Sequence, residues 1–205
     1  MIKARLREAS LVLCLVLSPS LVLAQAEVDT AWTLSQKDSL LQVKTGTEGL
    51  LGGLAHEHTI VAESFTGAVS YDPASPEEMS ITVDLESRSL KVIDRDVDEA
   101  MRNQIEVNMA AMLQPKTHPT MRFVSSKTTV VEGGLEVVGV MSICGQHKPL
   151  TLLVTLVQHG EGYRAITDFT LNHSDFGLEP YSAALGTIRV SDALKFRIDA
   201  QLARP

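Results

Sequence analysis

Positive charge, cysteine and long apolar runs are all scarce in this chain of 205 residues. Lys and Arg number 18 against 25 Asp and Glu, a formal net charge of −7. That acidic balance argues against nucleic acid and against electrostatic docking on anionic membranes. Only Cys14 and Cys144 carry thiols. Cys14 falls in an apolar stretch near the N-terminus, so a chain processed after that stretch would keep one cysteine and form no internal disulfide, even in an oxidising compartment. No apolar run approaches the roughly 20 residues a membrane-spanning helix needs, and no stable membrane insertion is expected. There is no internal repeat, no low-complexity linker and no His-Glu-x-x-His motif of the helix-borne zinc type. Without a cluster of catalytic residues, the chain is not expected to be an enzyme.

The N-terminus reads as a secretory leader. Lys3, Arg5 and Arg7 precede an apolar run over residues 11–17, followed by Pro19 and the small-residue sequence Ala24-Gln25-Ala26. A basic start, a short apolar centre and a small-x-small site are the parts of a signal peptide. Cleavage after Ala26 is expected, which removes 26 of the 205 residues and leaves 179, enough for one domain with a substantial core. The leader carries +2, so the mature formal charge drops from −7 to −9. A periplasmic or secreted location follows as the expectation.

What fills the mature chain, from residue 27 to 205, is alternation. Leu194, Phe196, Ile198, Ala200 and Leu202 share one parity, while Lys195, Arg197, Asp199 and Gln201 take the other. Successive side chains on a strand point to opposite faces, so one face is dry and one wet. Ile81, Val83 and Leu85 alternate with Thr82, Asp84 and Glu86 in the same way. Residues 32–34 and 40–44 read as weak opening strands, followed by a Gly-rich loop through Gly46, Gly49, Gly52 and Gly53 to His56-Glu57-His58 and a longer strand ending near Tyr71. Asp72-Pro73 turns the chain into a strand over residues 80–90. The second half reads as hairpins over 121–131 and 135–143, 150–158 and 163–172, then 187–190 and 193–202 with a turn at Ser191-Asp192. About eight antiparallel strands of this length close into a barrel. Gly67, Gly139 and Gly186 interrupt strands and read as barrel corners.

One helix is inserted near residues 95–113. Asp94 is the expected N-cap, with Asp96 and Asp98 in the first turn where the helix dipole favours negative charge. Val97, Met101, Ile105 and Met109 make an apolar stripe, and Pro115 stops the helix by about Leu113. The stripe either covers the barrel or acts as a lid.

The inward positions are Phe65, Val69, Val83, Leu85, Phe123, Val137, Met141, Leu152, Val154, Leu156, Phe169, Ile188, Phe196 and Ile198. Such a wall is either filled by its own side chains or encloses a ligand. A strand of about ten residues spans roughly 33 Å, and each buried methylene contributes about 0.8 kcal/mol. A long apolar chain would therefore bind without strong polar contacts. The rival is a metal site: His56 and His58 are two apart and share a strand face, with His118, His147 or His173 as a third ligand that no spacing selects. Asn172-His173-Ser174-Asp175 holds hydrolase residue types, but adjacency in sequence is not the convergent geometry of a triad. No metal or other cofactor is expected. Cys144 reads as an inert, partly buried thiol at a strand end.

Three landmarks, in order, resemble a known family. Phe65-Thr66-Gly67 with Tyr71-Asp72-Pro73 is similar to a Phe-x-Gly strand leading into an Asp-Pro turn. His118-Pro119-Thr120-Met121-Arg122-Phe123 with Ser125 is similar to an aromatic-Pro-Thr-x-x-Phe-x-Ser strand opening. Gly139 through Gly145-Gln146-His147-Lys148-Pro149-Leu150-Thr151-Leu152 resembles Gly-x-Leu-x-x-x-Gly-x-Thr-Lys-Pro-Val-x-Leu. The family is the YceI-like, polyisoprenoid-binding one, and the likeness runs from Trp32 to Leu202. It implies an all-β, lipocalin-like antiparallel barrel, exported to the bacterial periplasm, that holds a polyisoprenoid or isoprenoid quinone and performs no catalysis. The helix region departs from the family: Arg95-Asp96 is retained, but Val97-Asp98-Glu99-Ala100 stands where His-Leu is common.

Overall fold

The computed structural model describes residues 30–49, 57–183 and 187–205. The leader, His56 and Gly186 lie outside the described residues. The described residues form twelve strands and one α-helix: β1 Ala31–Leu34, β2 Leu40–Glu48, β3 Thr59–Ala62, β4 Phe65–Ser70, β5 Ser80–Glu86, β6 Leu90–Val92, α1 Glu99–Leu113, β7 Thr120–Val131, β8 Gly134–Ile143, β9 Gln146–His159, β10 Gly162–Asn172, β11 Ser182–Ala183 and β12 Ile188–Ala203. The ring runs β1-β4-β5-β7-β8-β9-β10-β12 and closes where Thr33 and Leu34 of β1 pair with Ala203 and Leu202 of β12. β2, β3 and β6 pair with one another as upward continuations of β1, β4 and β5. Eleven of the twelve segments thus make eight antiparallel staves, three of them broken, while the two-residue β11 pairs with β12 off the ring, and the barrel expected from the sequence is closed.

The breaks correct two sequence expectations. Residues 59–70 are not one strand, and neither are 80–90. At the kinks, Ser89 donates its hydroxyl to Ser64 O at 3.1 Å and Glu86 O at 2.8 Å, while Ser87 Oγ donates to His118 O at 2.8 Å. Both serines are buried. They satisfy backbone carbonyls that a continuous ladder would have paired, which makes the interruption tolerable. A third correction concerns residues 187–202, which form one strand. Ser191-Asp192 sits in a bulge, where Val190 to Leu194 of β12 lies opposite Thr47 to Thr45 of β2. Asp192 is held there because its carboxylate accepts from Ser174 N at 2.8 Å and Ser174 Oγ at 2.5 Å.

The tight hairpins follow their turn chemistry. Ile143 pairs with Gln146, leaving only Cys144 and Gly145 in the turn, both with positive φ at 49° and 77°. That left-handed pair suits the twist of a two-residue hairpin. β9 therefore begins at Gln146 rather than 150. Gly139 lies opposite Ser125, beside a register shift in β7. A Cβ there would stand 2.5 Å from both the Phe123 ring and Val124 O, so the bend expected at this glycine also needs its missing side chain.

Helix α1 starts one turn later than Asp94 suggests. Asp98 is the N-cap, accepting from Met101 N at 2.8 Å, and Asp94 is occupied elsewhere: it accepts from Thr59 N at 2.9 Å and contacts His58 Nδ1 at 2.9 Å. Val97 consequently precedes the helix. Its end at Leu113 is as expected before Pro115, with Gln114 in the left-handed region and its N–H bonded to Ala110 O. The helix docks on the otherwise unpaired edge of β6. Glu106 accepts from Val92 N at 3.1 Å and from Lys91 Nζ at 2.8 Å, replacing a missing ladder partner with a charge-assisted one.

Opposite the helix, the barrel floor is aromatic. Trp32 meets Tyr163 edge-on at 5.0 Å, Tyr71 meets Tyr163 at 4.9 Å, and Trp32 Nε1 donates to Tyr71 O at 3.1 Å. Arg204 covers the Trp32 ring at 3.8 Å, as a guanidinium over an aromatic face does favourably.

Candidate ligand-binding cavity

Between the aromatic floor and helix α1 the dry faces do not meet. They enclose a cavity of about 510 Å³, within the range typical of small-molecule sites. Ten sequence-nominated positions are on its wall: Val69, Val83, Leu85, Phe123, Met141, Leu152, Val154, Phe169, Phe196 and Ile198. Four are not. Phe65 packs with Leu41 and Ala62, Val137 is fully buried in the floor cluster, and Leu156 leans on that cluster. Ile188 pairs with Ala183 of β11 at the start of β12, below which the wall begins. Parity selects the face but not the height along the barrel, and these four lie behind, below or above the void.

The wall also holds residues outside the fourteen nominated positions. Leu34, Ile60, Ile81, Ala165, Ala200 and Leu202 carry the same alternation and were legible by parity. Ile105, Met109 and Met112 of α1 reach the cavity from above. On α1, Leu113 is buried, whereas Met101 and Val107 are exposed. The stripe borders the cavity through Ile105 and Met109, and Met109 also packs on the buried cluster of Leu113, Ile143, Leu171 and Phe176. Measured along β10 from Ala165 to His173, the wall is about 27 Å long.

Polar groups gather at the helix end. His58 Nδ1 and Asp94 Oδ2 lie 2.9 Å apart and are both largely buried. Gln104 Nε2 donates to Asn108 Oδ1 at 3.0 Å, and Arg102 Nη1 donates to Asp94 O and Val97 O. Glu179 and Tyr181 complete the exposed rim. The described histidines have separate partners: His147 Nδ1 lies 2.7 Å from Ser142 Oγ and His173 Nδ1 lies 3.1 Å from Asp192 O. Among the described residues no three His, Cys, Asp or Glu side chains are grouped to hold a metal ion. The 172–175 segment is a capping arrangement, with Ser174 bonded to Asp192 and Asn172 Nδ2 donating to Asp175 Oδ2 at 3.1 Å. Burial pushes the Cys144 thiol above its ordinary pKa, which keeps it protonated and a poor nucleophile. Its Sγ lies 3.3 Å from Leu113 O.

Comparison with known proteins agrees with this geometry. The model of the YceI-like domain matches residues 32–202. A UPF0312 protein of Pseudomonas putida is 31% identical over 137 residues, covering 62% of this chain and 66% of the relative. A second P. putida UPF0312 protein is 30% identical over 135 residues with the same coverage. The chain thus spans 66%, just under two thirds, of the length of the curated relatives it matches. Among solved structures, Burkholderia cenocepacia BcnA superposes with a TM-score of 0.67 at 18% identity, over 83% of this chain and 99% of that one. A Campylobacter jejuni YceI protein superposes with a TM-score of 0.54 at 15% identity, over 71% and 85%. At these identities the structures attest the fold.

Proposed function

The chain belongs to the YceI-like family, and from that membership we propose that it is an exported, non-catalytic carrier that sequesters a polyisoprenoid or isoprenoid-quinone lipid in the barrel. The observation that carries the reading is the cavity of about 510 Å³ inside a closed barrel, walled by aliphatic, methionine and phenylalanine side chains. At about 0.8 kcal/mol per buried methylene, a branched hydrocarbon chain filling such a space gains ample affinity from burial alone. A polar head would rest among His58, Gln104 and Asn108 at the rim or descend into the channel. The exported state rests on the leader: Lys3, Arg5 and Arg7, the short apolar run and Ala24-Gln25-Ala26.

The test is native mass spectrometry of protein expressed with its leader and purified from the periplasm. The expected result is a chain starting at Glu27 that carries one lipid, identified as an isoprenoid after extraction. A protein that emerges empty and binds no isoprenoid after delipidation would refute carriage. Retention of residues 1–26 in the cytoplasm would refute export.

A further inference from the structure

Among the described residues two buried side-chain oxygens have no hydrogen-bond partner, Asp84 Oδ1 and Thr167 Oγ1; Asp84 still has the Arg122 guanidinium at 3.6 Å, whereas Thr167 has no charge partner. Ser87, Ser89, Thr128 and His173 are also buried among the described residues, and each has a polar contact: with His118 O, Ser64 O, Met79 O and Asp192 O respectively. Thr167 is 7% exposed, and its Oγ1 has none. It lies on the cavity wall between Ala165 and Phe169. Its cross-strand neighbour is Ile198. The β9–β10 ladder ends one residue earlier, at Ile166 opposite Thr155, so no paired strand covers it on that flank. A hydroxyl stripped of water without a hydrogen bond is costly, and valine would fill the same volume without that cost. Such a group is the kind of exception that needs an external partner.

We propose that Thr167 hydrogen-bonds a neutral oxygen of the bound lipid deep in the barrel, selecting an isoprenoid quinone or alcohol over a hydrocarbon or a diphosphate-headed chain. This rests on the lipid-carrier reading and names the head that it takes. Charge at this depth is disfavoured. Asp168 and Arg197, which flank Thr167 and its partner Ile198 on the strands, have the outward parity and pair with each other at 3.0 Å, and Arg122 at the cavity border lies 3.6 Å from Asp84, so each of these charges already has a partner and none is free for a diphosphate. One rung nearer the mouth, Phe169 and Phe196 stack at 4.9 Å with 5° between their planes, an aromatic wall against which a planar quinone ring packs. From Thr167 to His173 the strand offers about 20 Å of wall for the prenyl tail, running toward Ile105 and Met109 of α1. The lipid is thus seated head first, with the Thr167 hydroxyl donating to a quinone carbonyl.

The experiment compares delipidated wild type, Thr167→Val and Thr167→Ser in titrations with a ubiquinone of four isoprene units and with squalene. Thr167→Val is expected to weaken ubiquinone about tenfold, the size of one neutral hydrogen bond, and to leave squalene within about twofold. Thr167→Ser should restore ubiquinone binding, because the hydroxyl returns. The melting temperature of Thr167→Val should equal or exceed that of wild type, since an unpaired hydroxyl is removed. If both probes bind and Thr167→Val shifts them equally or not at all, the anchor is refuted while the carrier stands. If wild type binds neither probe, the carrier reading falls and takes the anchor with it.

Discussion

Replacing Ile198 by aspartate sets the inward assignment against the largest energy the fold can oppose to it. Ile198 stands on the wall, paired with Thr167 of β10 and Leu41 of β2. In an empty channel its carboxylate would keep water; in a lipid-filled one it would lose it. Desolvating an ionised carboxylate without a partner costs several kcal/mol, of which about 3 is a conservative share. Trading the isoleucine carbons for a single methylene removes about 2 kcal/mol more of apolar contact with the lipid. The sum, about 5 kcal/mol, weakens retention by more than a thousandfold at 1.4 kcal/mol per decade. The assay is lipid extracted per mole of purified protein, with circular dichroism and thermal melting to establish the fold. Arg197→Asp is the matched control, since Arg197 has the opposite parity and contacts Asp168 on the outside. It removes an exposed ion pair worth about 0–1 kcal/mol and should leave lipid content unchanged. Ile198→Thr, a milder change, should lower retention by roughly tenfold. A folded Ile198→Asp protein with wild-type lipid content would refute the placement of this face.

Four further outcomes follow. Glu106→Ala removes both bonds that hold α1 to the β6 edge; it should destabilise by about 1–3 kcal/mol and accelerate hydrogen exchange at the Val92 amide, and unchanged exchange there would show that the helix is held otherwise. Chelator should leave the melting temperature unaltered, whereas loss of a structural zinc would remove on the order of 10 kcal/mol. His58→Ala by contrast should cost about 1–3 kcal/mol through the Asp94 contact, with a larger loss in Asp94→Ala, which also frees Thr59 N, and near-zero further loss when His58→Ala is added to Asp94→Ala. The Arg164 guanidinium, bonded to both Asp199 oxygens at 2.6 Å, holds the Asp199 carboxyl below its ordinary pKa. A depressed folded pKa contributes stability that is present above the ordinary carboxylate range near pH 4 and is lost as pH falls through the folded value. Arg164→Gln should therefore lower stability at neutral pH and flatten its decline below about pH 4, measured by urea titration across pH.

The faces of the strands were decided locally. Period-two alternation sorts Phe196 and Ile198 from Lys195 and Arg197 whatever the rest of the chain does, because a strand side chain has only two directions. The helix stop before Pro115 was equally local. The start of α1 was not, because Asp94 and Asp98 are both competent caps and the choice fell to the one not taken by Thr59 N and His58. The broken staves at Glu63-Ser64 and at Ser87 to Ser89 were likewise invisible, since the breaks are tied together by hydrogen bonds between residues about 25 to 31 positions apart, Ser89 to Ser64 and Ser87 to His118. The single strand over residues 188–203 was misread for the same reason: Ser191-Asp192 has turn composition, but Ser174 holds Asp192 in a bulge.

Alternation by itself determined that this chain has a dry face and a wet one, that its strands pair as antiparallel neighbours, and that one apolar stripe is carried on a helix. Only the tertiary structure decided that the dry faces enclose a void, because hollow and filled barrels share the same periodicity and differ in whether facing side chains meet across a space set by eight staves and their tilt. The same closure decides that Thr167, unremarkable in sequence, has no partner. Whether a hydroxyl is satisfied depends on what the other strands bring near it, and here they bring no hydrogen-bond partner.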